Sequence, residues 1–259
     1  MAKDSYFRKH KAKIHGDTPV PERNAPVIIS DKARGKFEEG KVLLIDKPLH
    51  WTSFDVVRKI RNSIRIKKVG HAGTLDPLAT GLLIVCTGKF TKRINEYMAQ
   101  EKEYKGSFTL GATTASYDLE QQPGNYRSFE HITAEQIKSE TLQFTGEILQ
   151  VPPAHSAIQI DGKRVYELAR QGKEVIIEPR RVTVSEFEIT GVDLPQVHFR
   201  IVCSTGTYIR SLANDLGIAL GCGAYLSSLC RTRIGAFRLD DALTMEEFEN
   251  EVMKIRHST

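Results

Sequence analysis

The chain of 259 residues is poor in the groups that build metal, redox and membrane proteins. Its four cysteines, Cys86, Cys203, Cys222 and Cys230, form no C-x-x-C pair. They read as small buried residues of a reducing compartment, not as zinc ligands or a disulfide framework. No apolar run is long enough to cross a bilayer, and the polar, basic N-terminus lacks the apolar centre of a signal peptide. Neither a dinucleotide glycine fingerprint nor His/Cys spacing of the metal-binding kind occurs, and there is no internal repeat. These absences leave a soluble, cytoplasmic protein as the expectation.

What is present is moderately basic. The net charge is +5 and the pI about 8.9, which suits a nucleic-acid partner without requiring one. With 40% hydrophobic and 27% charged residues the chain can build one large domain or two small ones. Met1 to Gly40 is rich in Lys, Arg, Pro and Asp and reads as a flexible arm over residues 1–40. Lys41–Ile45 is expected to be a buried strand, and Thr52 or Ser53 to cap a helix that runs to Ile64. The spacing further predicts a helix over Lys89–Gln100, a strand over Tyr104–Leu110 and a capped helix from Thr133 to about Phe144. After Val151-Pro152-Pro153, which no central strand would tolerate, the pattern gives a turn near Gly162 and a basic helix from Lys163 to Arg170. Two antiparallel strands, Arg181–Gly191 and Val197–Ser204, precede a helix that reaches about Leu220. Ala224–Phe237 holds two short strand-like pieces, and Thr244 with Glu247 starts a last helix. Mixed strands and helices with antiparallel hairpins argue for an α+β fold.

The most distinctive stretch is Gly70-His71-Ala72-Gly73-Thr74-Leu75-Asp76-Pro77-Leu78-Ala79-Thr80-Gly81. It sits between the amphipathic Ser53–Ile64 segment and the apolar Leu82–Thr87 strand. Asp76 before Pro77 reads as an N-cap, with Pro77–Thr80 as one helical turn ended by Gly81. A second reading has the carboxylate held by its neighbours and aimed at a substrate.

The whole string closely resembles the active-site motif of the pseudouridine synthases, in particular the bacterial tRNA pseudouridine-55 synthases. Three further motifs follow the order of that family: Lys47-Pro48, Tyr104 between Lys102 and Lys105, and the segment from Tyr208 to Leu229. The resemblance covers about Val42 to Phe237 and implies a pseudouridine-synthase fold: a mostly antiparallel mixed sheet flanked by helices, with a thumb insertion at about 150–172. It implies isomerisation of the uridine at position 55 in the T-arm loop of tRNA, by base flipping, aspartate-dependent glycosidic cleavage and rejoining through C5. Asp76 matches the nucleophile, Arg210 the arginine that pairs with it, and Tyr104 the ring under the target base and the proton acceptor. His71 matches the histidine that assists flipping, Tyr208 and Leu229 the pocket walls, and Lys47 an electrostatic support. Lys163, Arg164 and Arg170 fall in the RNA-pinning thumb. No cofactor or metal is implied, the partner is tRNA, and a monomer is expected.

Two departures stand out. The family usually has Gly two residues after the Lys-Pro pair, where this chain has His50. Thr259 comes soon after the last motif, so the expectation is a single catalytic domain over 41–259, a short form without the C-terminal RNA-binding module of many members. Two other classes stay open. One is an RNA-binding, tRNA-folding factor with secondary or no turnover. The other is a retaining glycosidase, which wants a second carboxylate that the motif itself does not supply.

Overall fold

The computed structural model describes residues 31–154, 159–160, 163–164 and 177–257. Eleven strands appear among them: β1 (Val42–Lys47), β2 (Val69–His71), β3 (Ala79–Thr87), β4 (Lys102–Leu110), β5 (Gly146–Gln150), β6 (Gln159–Ile160), β7 (Lys163–Arg164), β8 (Arg180–Asp193), β9 (Gln196–Cys203), β10 (Ala224–Ile234) and β11 (Phe237–Arg238). Nine form one sheet in the order β1-β3-β10-β4-β9-β8-β5, with β2 added to β3 and β11 to β10. Each pairing in this sheet is antiparallel except β3 with β10, which run parallel. The helices are α1 (Asp31–Glu39), α2 (Ser53–Ile64), α3 (Ile94–Met98), α4 (Ala134–Thr141), α5 (Ile209–Ala219) and α6 (Met245–His257). No described helix is long and apolar enough to cross a membrane. The expected α+β architecture is the one observed.

Two apolar cores set the layers. Val56, Ile60 and Ile64 recur on one stripe of α2 and pack with Phe248 and Val252 of α6 against Ile45, Leu83 and Val85 of the sheet. Further along, Leu212 and Leu216 of α5 close over Phe108, Phe199 and Ile201. The Phe108 and Phe199 rings stack with centroids 4.2 Å apart. Successive strand residues point to opposite faces, so Tyr104 shares the α5 face while its neighbours Glu103 and Lys105 point away. On that other face Arg200 pairs with Glu103 at 2.8 Å and with Glu186.

Three of the six described helices start at reciprocal caps. Thr52 and Asp55 make a reciprocal capping box ahead of α2, as Thr133 and Gln136 do ahead of α4. Thr244 and Glu247 bond in the same way ahead of α6. Several expectations are corrected. Of the residues 1–40 read as an arm, 1–30 lie outside the described residues, but 31–39 form α1. Phe37 is buried there, and its carbonyl accepts the Thr87 hydroxyl at 2.8 Å, so one aromatic anchors this segment. The Lys89–Gln100 helix is a 3-10 segment, Gly88–Arg93, followed by the short α3. Ala224–Phe237 is one long strand and a two-residue return, not two equal pieces. The basic helix expected from Lys163 does not begin there, because Lys163 and Arg164 lie on β7, paired with β6. The turn expected near Gly162 lies outside the described residues. Arg170 lies outside the described residues.

His50 resolves the first departure. It adopts φ 67°, the left-handed conformation that a glycine takes freely, and its amide donates to the Pro77 carbonyl at 2.8 Å. Histidine tolerates this region better than most residues, so the turn survives without glycine. His50→Gly is therefore expected to be at least as stable as the parent. His50→Val should lose about 1–2 kcal/mol, since a β-branched side chain clashes there. Thermal unfolding of the two variants checks both signs; a valine variant as stable as the parent contradicts the account.

Candidate active site

Asp76 lies at the tip of a loop that is held on all sides. The Ser53 hydroxyl, at the start of α2, accepts the Leu75 amide at 2.9 Å and donates to the Leu75 carbonyl at 3.2 Å. The Ala72 amide reaches the Ile84 carbonyl at 2.9 Å, and the Ala79 amide reaches the Asp76 carbonyl at 3.0 Å. This last bond closes a single turn at Pro77-Leu78. Ala79 then enters β3 directly, where residues 79–81 pair with 229–231 of β10. The helical turn expected after Asp76 does not form, because the parallel ladder claims its residues. Gly81 is strand, not a helix stop, at φ 98°; a Cβ there would stand 2.4 Å from the Arg231 carbonyl.

The fixed backbone leaves the Asp76 carboxylate facing a cavity of about 310 Å³. Its walls include Gly73–Asp76, Met98, Lys102, Tyr104, Arg180, Ser204–Arg210, Leu229 and Arg231. Asp76, Tyr104, Tyr208, Arg210 and Leu229 therefore meet in one place although their sequence separation spans the sheet. Asp76 is the single carboxylate among these described walls, against four cationic side chains.

Arg210 sits in the first turn of α5 and is almost fully buried. Its Nε lies 3.0 Å from Asp76 Oδ2 and 3.7 Å from Asp118 Oδ2, and Nη1 donates to the Ser116 carbonyl at 3.3 Å. The start of α5 is held by Gln150, whose side-chain amide accepts from the Tyr208 amide at 2.8 Å and donates to the Tyr208 carbonyl at 3.1 Å. Arg180 donates to the Gly206 carbonyl and places its guanidinium 4.7 Å over the Tyr208 ring.

His71 and Lys47 stand behind the cavity rather than in its lining. His71, on β2, is kept below the usual histidine range by burial and then by the positive charge of Arg231. Lys47 is fully buried and donates to the carbonyls of Pro48 (2.9 Å) and Trp51 (2.6 Å). Burial brings its ammonium down to about 8, opposed chiefly by the charge of Asp76. Burial pushes Asp76 itself above the ordinary carboxylate range, with Asp118 and Glu120 adding to the effect. Arg210 foremost, then Lys47, works against that rise. Its side chain is 41% exposed, so the carboxylate is reachable through the cavity even though protein surrounds it. Burial also raises the Tyr104 phenol, which is protonated at neutral pH.

Sequence reasoning missed Asp118, Gln150 and Arg231, and it grouped Arg180 with the basic residues that continue the thumb, whereas Arg180 lines the cavity. The glycosidase alternative had wanted a second carboxylate, and the fold does bring Asp118 to Arg210. That carboxylate is 7% exposed and does not line the cavity, so it serves the arginine and not a substrate. No local pattern marks Asp118, which arrives from a loop bridged to Leu226. Arg231 had a signal: it stands two residues beyond Leu229 on a strand and so shares its face.

Residues 61–209 match the family model for TruB family pseudouridylate synthase (N terminal domain). Residues 210–258 match that for the tRNA pseudouridylate synthase B C-terminal domain. The second match begins inside α5 and includes β10, so its residues contribute to the central sheet and to the cavity. The chain is 51% identical to tRNA pseudouridine synthase B of Phocaeicola vulgatus over 82% of its length and 93% of the relative's. It is 51% identical to that of Flavobacterium johnsoniae over 84% and 98% of the two chains. Among solved structures it is similar to a chain of a Cbf5-Nop10-Gar1 complex, with a TM-score of 0.65 and 32% identity, covering 83% of this chain and 54% of that one. It is also similar to a chain of an H/ACA RNP bound to a substrate RNA containing 2'-deoxyuridine (TM-score 0.62, 28% identity), again covering 83% and 54%. The motif around Asp76, the sheet that carries it and these matches agree: the chain belongs to the TruB family of pseudouridylate synthases.

Proposed function

We propose that this protein isomerises uridine 55 in the T-arm loop of tRNA to pseudouridine, acting as a monomer in the cytoplasm. The observation that carries the reading is the Asp76 carboxylate, alone among four cations and 3.0 Å from Arg210, in a cavity walled by Tyr104, Tyr208 and Leu229. Flipping the uridine out of its loop costs a few kcal/mol of unstacking, which stacking and phosphate contacts offset. Asp76 then acts as the carboxylate nucleophile, whether at C1′, at C6 or through a glycal, and Arg210 keeps it ionised. The N1–C1′ bond breaks, and the detached uracil turns between Tyr104 and Leu229. A C5–C1′ bond forms in its place. The C5 proton leaves, and N1 gains one, so the net change is an isomerisation. His71 assists flipping from behind the loop, and Lys47 supports the ionised Asp76.

The test is tritium release from tRNA labelled at uridine C5. Stoichiometric release from one position per tRNA, mapped to position 55, is expected. Tight tRNA binding without release would instead support the tRNA-folding reading.

The β6–β7 hairpin is the proposed thumb contact, with Lys163 and Arg164 on β7 and Arg170 further along the same segment. Lys163→Glu combined with Arg164→Glu is expected to weaken tRNA affinity and flatten its salt dependence by about one slope unit per lost phosphate contact. Turnover at saturating tRNA should fall much less. Unchanged affinity and slope would remove the hairpin from the interface.

A further inference from the structure

Arg231 is the largest fully buried side chain of the described residues, and the motifs above give it no role. It is on β10 directly opposite Tyr104 of β4, so the two side chains rise from one face of the sheet. Its Nε donates to the Leu82 carbonyl of β3 at 2.8 Å, and its Nη2 donates to the Gly73 carbonyl at 3.1 Å. Gly73 lies three residues before Asp76 in the same tethered loop. The guanidinium lines the same cavity as Tyr104, and its positive charge works against the rise of the phenol. Its planar fork donates to two elements at once, the Asp76 loop and the strand that follows it, from a position opposite Tyr104.

We propose that Arg231 is a positioning residue for the isomerisation, fixing the Asp76 loop against β3 and placing a positive charge beside Tyr104 in the cavity. The inference rests on the pseudouridine synthase reading of the site. A phenol can take the C5 proton only after giving up its own, which N1 of the detached base must gain, and a positive charge beside it stabilises the phenolate in between. Arg231 is that charge. The other charged or titratable groups around the pair are Asp76 on the loop, Arg210 and Tyr208 at the start of α5, Cys203 on β9, Lys102 on β4, Lys47 on β1, His71 on β2 and Arg180 on β8. Arg231 is the cation that stands directly across the strand from Tyr104.

The experiment compares the parent with Arg231→Gln, Arg231→Lys and Tyr104→Phe. It records single-turnover pseudouridine formation at saturating tRNA from pH 6 to 9, with tRNA affinity and thermal unfolding on the same samples. Arg231→Gln is expected to slow the chemical step about 100-fold, the scale of general acid–base assistance, with a rate that climbs more steeply towards high pH than the parent's. Arg231→Lys keeps the charge but not the fork and should recover part of the loss. In a Tyr104→Phe background, adding Arg231→Lys should cost far less than it does alone, because the two residues act as a unit. Should the glutamine variant fail to fold, the lysine variant and the cycle carry the test. Additive losses, an unchanged pH profile, or a loss that only follows melting temperature overturns the proposal. An inactive parent protein would instead reject the functional reading itself.

Discussion

Asp76→Asn is expected to form no measurable pseudouridine, a loss on the order of 10⁴-fold or more, as when a covalent nucleophile is removed. Binding should scarcely change, because affinity for tRNA comes mainly from phosphate contacts and the substitution is isosteric. The effect on stability has a definite sign. The folded protein holds the Asp76 carboxyl above its ordinary range, mainly through burial. A group raised in this way contributes stability while protonated and loses it as pH rises through the folded value. At neutral pH the ionised carboxylate is therefore a cost that asparagine does not carry, and Arg210 still has Asp118 within 3.7 Å. The variant should melt at or above the parent temperature at pH 7.5, and the difference should shrink as pH falls and Asp76 protonates. Product within tenfold of the parent rate would refute the role assigned to Asp76.

Arg210→Lys is expected to lose about 10³-fold in single-turnover rate, the scale found when one preorganised charge contact is removed. Arg210 spans Asp76, Asp118 and the Ser116 carbonyl together, and a compact ammonium cannot replace that fork. The pH profile separates charge from geometry. Arg210 is the chief group opposing the rise of the Asp76 carboxyl. In Arg210→Gln the acid-side fall of activity should begin at higher pH than in the parent, whereas the lysine variant should keep its acid limb near the parent's while remaining slow. Near-parental turnover of the lysine variant, measured by tritium release, would show that the fork is dispensable.

The residues of the site differ in how far the sequence exposes them. Asp76, Tyr104 and Arg210 are legible because each lies in a motif of fixed composition, and the structure gathers them around one cavity. The helices with reciprocal caps are legible too, since a cap is a local event. Asp118 is not, because its meaning depends on a loop folding back onto β10, and no spacing encodes that contact. The turn after Asp76 was misread for a related reason. Asp-Pro favours a helix start locally, but Ala79–Gly81 gains ladder bonds to β10 from far along the chain. At Lys163-Arg164 a basic, helix-like composition gives way to pairing with Gln159-Ile160. Phe37 shows how a single aromatic can tie a polar segment to a core.

The parallel pairing of β3 with β10 has a consequence for how the protein is made. Strand β3 carries the chain out of the Asp76 loop, and its partner residues 229–231 are synthesised about 150 residues later. Parallel contacts at such separation close late, after local hairpins and helices have formed. On the ribosome, Asp76 would emerge early but lack both Arg210 and the strand that fixes its loop until nearly the whole chain is out. Nascent chains released before residue 231 should therefore hold Asp76 in no defined place, and early termination products should show no turnover.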